Sequence, residues 1–260
     1  PDVVAVIGHY RPESSQAAAP LYTQANLPLI ALGGGGLITT GWHLEPEPAL
    51  LAQAMLDLGT TKNPASATVW GQDPVAETIR QALELTNLYV PADIGGTHPD
   101  IAFSLLPPIE AAEQANRWRA QGWEGHLFGN VSLSSPAFAR ITPQNTYEPF
   151  FLTPFPFPGD VEGSQDWIAA YRAMGPHVPE PGPYALPTYE AVHLALNAVS
   201  LALESRDVLS RRTVAEVFGS SRRTGRLGEI EWESSRYWNA APLYLYRWTG
   251  QTPKLIRQMP

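Results

Sequence analysis

Short apolar runs, several of them ending in glycine or beside a polar pair, alternate along this chain with longer amphipathic stretches. The first run, Asp2-Val-Val-Ala-Val-Ile-Gly8, has no polar alternation, which predicts a parallel strand buried on both faces. Residues 13–26 read as a helix with Ser14 or Ser15 as N-cap. Leu27-Pro-Leu-Ile-Ala-Leu32 is a second buried strand, and it stops at four glycines, 33–36. An amphipathic helix over 46–58 and a strand Ala67-Thr-Val-Trp70 follow. Asp73-Pro74 then predicts an N-cap with proline at the first helical position, opening a helix to about Leu85.

The alternation continues with a strand Asp100-Ile-Ala-Phe-Ser-Leu105 and a helix over 109–121 that buries Ile109, Ala112, Ala115 and Trp118. His126-Leu-Phe-Gly129 and Phe150-Phe-Leu-Thr153 are further strands. Strands that alternate with helices predict an α/β fold with mostly parallel sheet covered on both faces. Residues 154–187 are proline-dense and predict extended or turning chain. Thr188 to Glu204 is apolar nearly all round, which predicts a buried helix. A helix over 207–218, a strand-like Gly228-Glu-Ile-Glu-Trp232 and a strand Pro242-Leu-Tyr-Leu-Tyr-Arg-Trp248 complete the pattern.

Composition narrows the function. Of the 260 residues, 44% are hydrophobic and 16% charged, enough apolar material for a packed core. A formal net charge of −8 argues against a nucleic-acid partner, which needs clustered positive charge. Cysteine is absent, which removes disulfides, thiolate metal sites and cysteine nucleophiles. No apolar run approaches the length of a membrane span. A leader or anchor, if the protein has one, lies outside these residues.

Two separated stretches carry a resemblance. Val6-Ile-Gly-His9, Ser14-Ser15-Gln16 and Leu27-Pro-Leu-Ile30 form the first. Gly182-Pro-Tyr184, Thr188-Tyr189, Gly228-Glu-Ile-Glu-Trp232 and Tyr246-Arg-Trp248 form the second, in the same order. Together they resemble the type I periplasmic solute-binding proteins, most closely those serving branched-chain amino-acid ABC transporters. The resemblance implies a two-lobed type I periplasmic-binding fold with parallel sheets flanked by helices. Lobe one takes residues 1–45 plus 156–237, and lobe two residues 46–155 plus 238–260. It also implies an extracytoplasmic protein that delivers a small-molecule ligand to an ABC transporter permease. Family members begin with a further strand–helix–strand–helix unit, so the first lobe is expected to be incomplete. Its sheet edge is then exposed, or covered by another chain, and association through that edge follows.

In open parallel sheets ligands bind off the carboxyl ends of strands. That rule nominates His9, Tyr10, Glu13, Ser14 and Ser15 after the first strand, and Gly33, Gly34 and Gly35 after the second. It nominates Trp70 and Gln72, then Ser104 and Leu106, then Asn130 after the later strands. The glycine run either brings backbone close to a ligand or is a turn; it lacks the lysine and Ser/Thr of a phosphate loop. Against the family pattern, Pro12 stands where a ligand-binding serine is expected and Gly35 where a threonine is. Leu106 and Val131 stand where polar partners for an ammonium are expected. This departure favours a weakly polar or aromatic solute over a free amino acid.

Neither a catalytic site nor a metal site is expected. No GxSxG elbow occurs, and the six histidines show no metal-ligand spacing. No cofactor is implied. Two alternatives stay open: a degenerate sensing or interaction module of the same fold, and a hydrolase using Asp73 or Glu13.

Overall fold

In a computed structural model, the structure describes residues 3–33, 41–91, 98–142, 148–205, 209–232 and 234–259. The chain divides into two compact units, Pro1–Glu47 with Pro154–Ala241, and Pro48–Thr153 with Pro242–Pro260.

The first unit opens with β1 (Val6–Ile7), α1 (Pro12–Gln24), β2 (Leu29–Ala31) and β3 (Gly41–His43). These strands make a parallel sheet in the order β1-β2-β3. β2 is central, and its Leu29, Ile30 and Ala31 are fully buried. Among the described residues β1 pairs with β2 alone, and it is half-buried, where the sequence predicts a strand covered on both faces. The N-cap of α1 is Arg11, not Ser14 or Ser15, because Pro12, with no N–H to satisfy, takes a first-turn position. β3 has no apolar run to announce it, and sequence reading missed it.

The second unit carries α2 (Pro48–Thr60), β4 (Ala67–Trp70), α3 (Pro74–Leu85), β5 (Ile101–Ser104), α4 (Pro108–Ala120), β6 (His126–Gly129), α5 (Pro136–Ile141) and β7 (Phe150–Thr153). Asp73 caps α3 as its sequence position predicts, its Oδ1 accepting from the Ala76 N–H at 2.7 Å. Returning to the first unit, the chain forms α6 (Gln165–Arg172), α7 (Ala185–Ser205), α8 (Arg211–Phe218) and the hairpin β8 (Arg223–Gly225) and β9 (Gly228–Ile230). α6 lies inside the stretch read as extended. The second unit ends with β10 (Leu243–Thr249) and β11 (Thr252–Met259), an antiparallel hairpin on β7.

The second unit's sheet runs β11-β10-β7-β6-β5-β4. One face buries Val69, Ile101, Phe103, Phe128, Leu152 and Leu245 against Met55, Leu58, Ile79 and Leu83 of α2 and α3. Each such side chain contributes roughly 1.5–3 kcal/mol. Trp118 stands edge-on to Trp70 at a centroid distance of 4.8 Å and to Trp123 at 5.2 Å, and Trp123 lies tilted to Trp70 at 6.1 Å. Ala112, Ala115 and Trp118 of α4 are buried as the spacing predicts, but Ile109 is half-exposed and Ala111 takes its place inside.

In the first unit, α7 packs on α8, β8 and β1. It buries Leu186, Ala191, Leu194, Ala198 and Ala202, yet Val192, Leu196 and Leu203 stand 41%, 57% and 56% exposed. Apolar sequence all round did not mean burial all round. Glu190, by contrast, is fully buried. Its carboxylate pairs with Arg223 and accepts the Arg226 backbone N–H at 2.9 Å. The partners replace the water a buried charge gives up and pin the β8–β9 hairpin to α7. A Cβ at Gly225 would stand 2.3 Å from that carboxylate, which is why glycine occupies the position.

Candidate functional site

The carboxyl edge of the first unit's sheet gathers His9 and Tyr10 after β1, Gly33 after β2 and Glu45 after β3. Gly34 and Gly35 lie outside the described residues. His9 is committed locally: its Nε2 lies 3.1 Å from the Tyr22 hydroxyl on α1, with the two rings stacked. Gly33 does serve close backbone approach, but to Tyr10. A Cβ there would stand 2.1 Å from the Tyr10 carbonyl oxygen.

Tyr10 is 60% exposed, and its ring rests 5.5 Å from that of Tyr184. Tyr184 in turn lies 5.4 Å from Phe155, which is fully buried. Burial, the Glu45 carboxylate and Tyr10 hold the Tyr184 phenol far above its ordinary range, so its O–H stays protonated. Burial, Glu45 and then Glu47 push Tyr237 up in the same way. Glu45 thus places negative charge within reach of two phenols on this edge. Sequence reading missed Glu45 because it missed β3; a strand assigned at Gly41–His43 would have nominated it.

Glu13 is exposed and Ser14 half-buried in the first turn of α1. Ser15 is fully buried, with its Oγ unpartnered among the described residues and its N–H bonded to the Arg11 carbonyl at 3.2 Å. The start of a thirteen-residue helix leaves backbone N–H groups that suit an anion or a polar ligand end. His43 closes β3 in a buried setting, stacked on Tyr237 at 4.4 Å. Burial, helped by the nearby Arg236 charge, holds its imidazole down at about 4.

On the second unit's carboxyl edge, Trp70 is buried against Trp118 and Trp123, so its ring is spent on packing. Ser104 is fully buried, and its Oγ has no hydrogen-bond partner among the described residues. Gln72 is exposed beyond Gly71, whose φ of +124° suits glycine. Leu106 is half-buried. Asn130, also half-buried, uses its Oδ1 to cap the 3-10 turn Val131–Ser134, accepting the Ser132 N–H at 3.0 Å. Of the residues nominated here, Gln72, Leu106 and Asn130 retain surface. Among the described residues no three His, Asp or Glu side chains gather as metal ligands, and no helix is long and apolar enough to cross a membrane.

No protein-family model matches the sequence, and no curated protein matches it. Solved structures do match. A leucine-binding protein from Thermotoga maritima superposes with a TM-score of 0.83 at 15% identity, over 99% of this chain and 80% of that one. The substrate-binding protein of a branched-chain amino-acid transporter from Streptococcus pneumoniae, in complex with isoleucine, gives 0.75 at 17% identity, over 98% and 78%. A solute-binding protein of an ABC transporter from R. palustris, in complex with benzoate, gives 0.74 at 13% identity, over 98% and 77%. The chain therefore has the type I periplasmic-binding fold, the fold of the substrate-binding proteins of branched-chain amino-acid ABC transporters.

Proposed function

We propose that this chain is an extracytoplasmic solute-binding protein, the substrate-binding component of an ABC-type uptake system, and not an enzyme. Its ligand is a small, weakly polar or aromatic molecule taken up at the strand carboxyl edges. The observation that carries the reading is Tyr10, an aromatic ring left 60% exposed at the end of β1 and backed by Tyr184 and Phe155. A large aromatic face kept in water beside backbone donors is a recognition wall, not core packing. The ligand's polar end meets the first turn of α1 at Glu13 and Ser14.

The benzoate complex among the matched structures supports an aromatic solute on this fold, and the leucine- and isoleucine-binding proteins support small solutes in general. Binding is favoured over hydrolysis because Asp73 is committed to capping α3 and Glu13 stands in solvent. Calorimetry against benzoate, other aromatic carboxylates, leucine, isoleucine and valine tests the reading. The expected result is tightest binding of an aromatic solute, weakened at least about tenfold by Tyr10→Ala with the unfolding temperature unchanged. Tight leucine binding that Tyr10→Ala leaves intact is the result that sinks it.

A further inference from the structure

We propose that the amino-terminal edge of the second unit's sheet carries a further binding site, which takes a small organic oxyanion, a carboxylate or phosphate group borne on an apolar body. The loops that enter β4, β5 and β6 line a groove of about 610 Å³, a volume in the range of small-molecule sites. These strands are four residues long, which places the groove about 13 Å from the carboxyl edge that carries Gln72, Leu106 and Asn130. A molecule bound here leaves that edge uncovered.

Bonds between its three walls hold the groove in shape. The Asp100 Oδ2 accepts the Ala65 and Ser66 N–H groups at 2.7 and 3.1 Å, and the Asp100 N–H donates to Ser66 Oγ at 3.2 Å. The Asp100 carbonyl accepts the His126 N–H at 2.8 Å, and the Pro99 carbonyl accepts the Trp123 indole N–H at 2.6 Å. At the third wall the Arg119 guanidinium lies 4.6 Å from the Trp123 ring centroid. It donates to the Trp123 carbonyl and, at 2.7 Å, to the Gly125 carbonyl. Walls already bonded to one another lose little freedom when a ligand enters.

The charge of the groove selects the ligand. Lys62 is exposed on the first wall, its ammonium 5.5 Å from the Phe150 ring centroid and without a carboxylate partner among the described residues. His126 is exposed on the third wall. Burial, then Lys62 and Arg119, hold its imidazole below the ordinary range, and Asp100 opposes them more weakly. The field at that ring is therefore positive on balance, in a chain whose net charge is −8. The Asp100 carboxylate is engaged by backbone N–H groups, and Glu124 stands in solvent. Among the described residues no three His, Asp or Glu side chains gather as metal ligands, so the groove has no cage for a metal ion. An oxyanion that meets Lys62 and His126 gains charge-assisted hydrogen bonds, and Pro64 and Pro99 offer its apolar body a wall. His98, half-buried with its ring 5.1 Å from that of Trp118, adds a third nitrogen donor.

The test is NMR of the His126 ring and the Trp123 indole N–H while phenyl phosphate, benzoate or inorganic phosphate is added to the whole chain. The expected result is a saturable shift at both with phenyl phosphate, at a dissociation constant on the order of 100 µM. Benzoate, with less charge, should bind more weakly. Inorganic phosphate, without an apolar body, should bind at least about tenfold more weakly than phenyl phosphate. Lys62→Gln and His126→Gln, both at exposed positions, should each weaken phenyl phosphate at least about fivefold with the unfolding temperature unchanged. No saturable shift up to about 5 mM overturns the proposal, as does binding that both substitutions leave intact. Equal binding of all three anions overturns it too, since the apolar body then contributes nothing. A shift that Tyr10→Ala abolishes also overturns it, since the ligand then sits at the first unit's aromatic wall.

Discussion

The two units solve the same architectural problem with unequal means. The second builds six strands, buries a large aliphatic and aromatic core on one face, and covers or guards both edges. The first has a parallel sheet of three strands among the described residues, fixes its hairpin with a buried charge as well as with the buried Leu227 and Ile230, and shows exposed apolar residues on α7. The first unit adds to its buried apolar residues specific polar and backbone contacts such as Glu190 with Arg223 and the Arg226 N–H. Most substitutions in the second unit should therefore scale with apolar volume. In the first, they should depend on individual backbone and polar contacts.

Phe103→Ala gives the largest expected effect, because the ring is 1% exposed in the second unit's core. A loss of about 4 kcal/mol in urea unfolding is expected, while Leu196→Ala on α7 stays within about 0.5. Equal losses would erase the contrast between the units. Next comes pH. The His43 imidazole is held at about 4 in the folded chain, against 6.5 for the free group. Between those values the unfolded chain takes up a proton the folded chain refuses, so stability falls as pH drops from about 6.5 to 4. The full difference is roughly 3 kcal/mol, and His43→Gln should flatten that part of the pH–stability curve relative to the unsubstituted chain. Gly33→Ala should cost about 2 kcal/mol and raise amide exchange at Leu32, whose N–H bonds to the His9 carbonyl at 3.2 Å. Unchanged exchange would show that the Tyr10 loop can yield. The smallest effect is Asp73→Ala, about 1 kcal/mol for a lost helix cap in the better-buttressed unit.

What could be read in the sequence was local chemistry. Asp73-Pro74 declares a helix start because a capping side chain and a fixed φ act within one turn. The strands β2, β4, β5, β6 and β7 could be read as apolar runs of strand length. β3 could not, because Gly41-Trp-His43 is held by its neighbours and not by its own propensity. The site divided along the same line. Strand ends were visible, so Tyr10, Gln72 and Asn130 were found at carboxyl edges. Which way a side chain turns there is a tertiary matter: Trp70 turned to Trp118, and Ser15 turned inward. α7 misled for a related reason, since burial depends on which neighbours a face meets and not on the apolar pattern alone.

The tryptophan cluster of the second unit has an optical consequence. Trp118 holds its indole edge-on to Trp70 and to Trp123, and the three centroids lie between 4.8 and 6.1 Å apart. At such spacing the transition dipoles of neighbouring indoles couple, and the coupling depends steeply on distance and mutual angle. The near-ultraviolet circular dichroism of this protein therefore carries a contribution from these three side chains, beside that of the Trp42–Trp232 pair of the first unit at 5.3 Å. Replacing Trp118 by Phe separates the second unit's share of the signal.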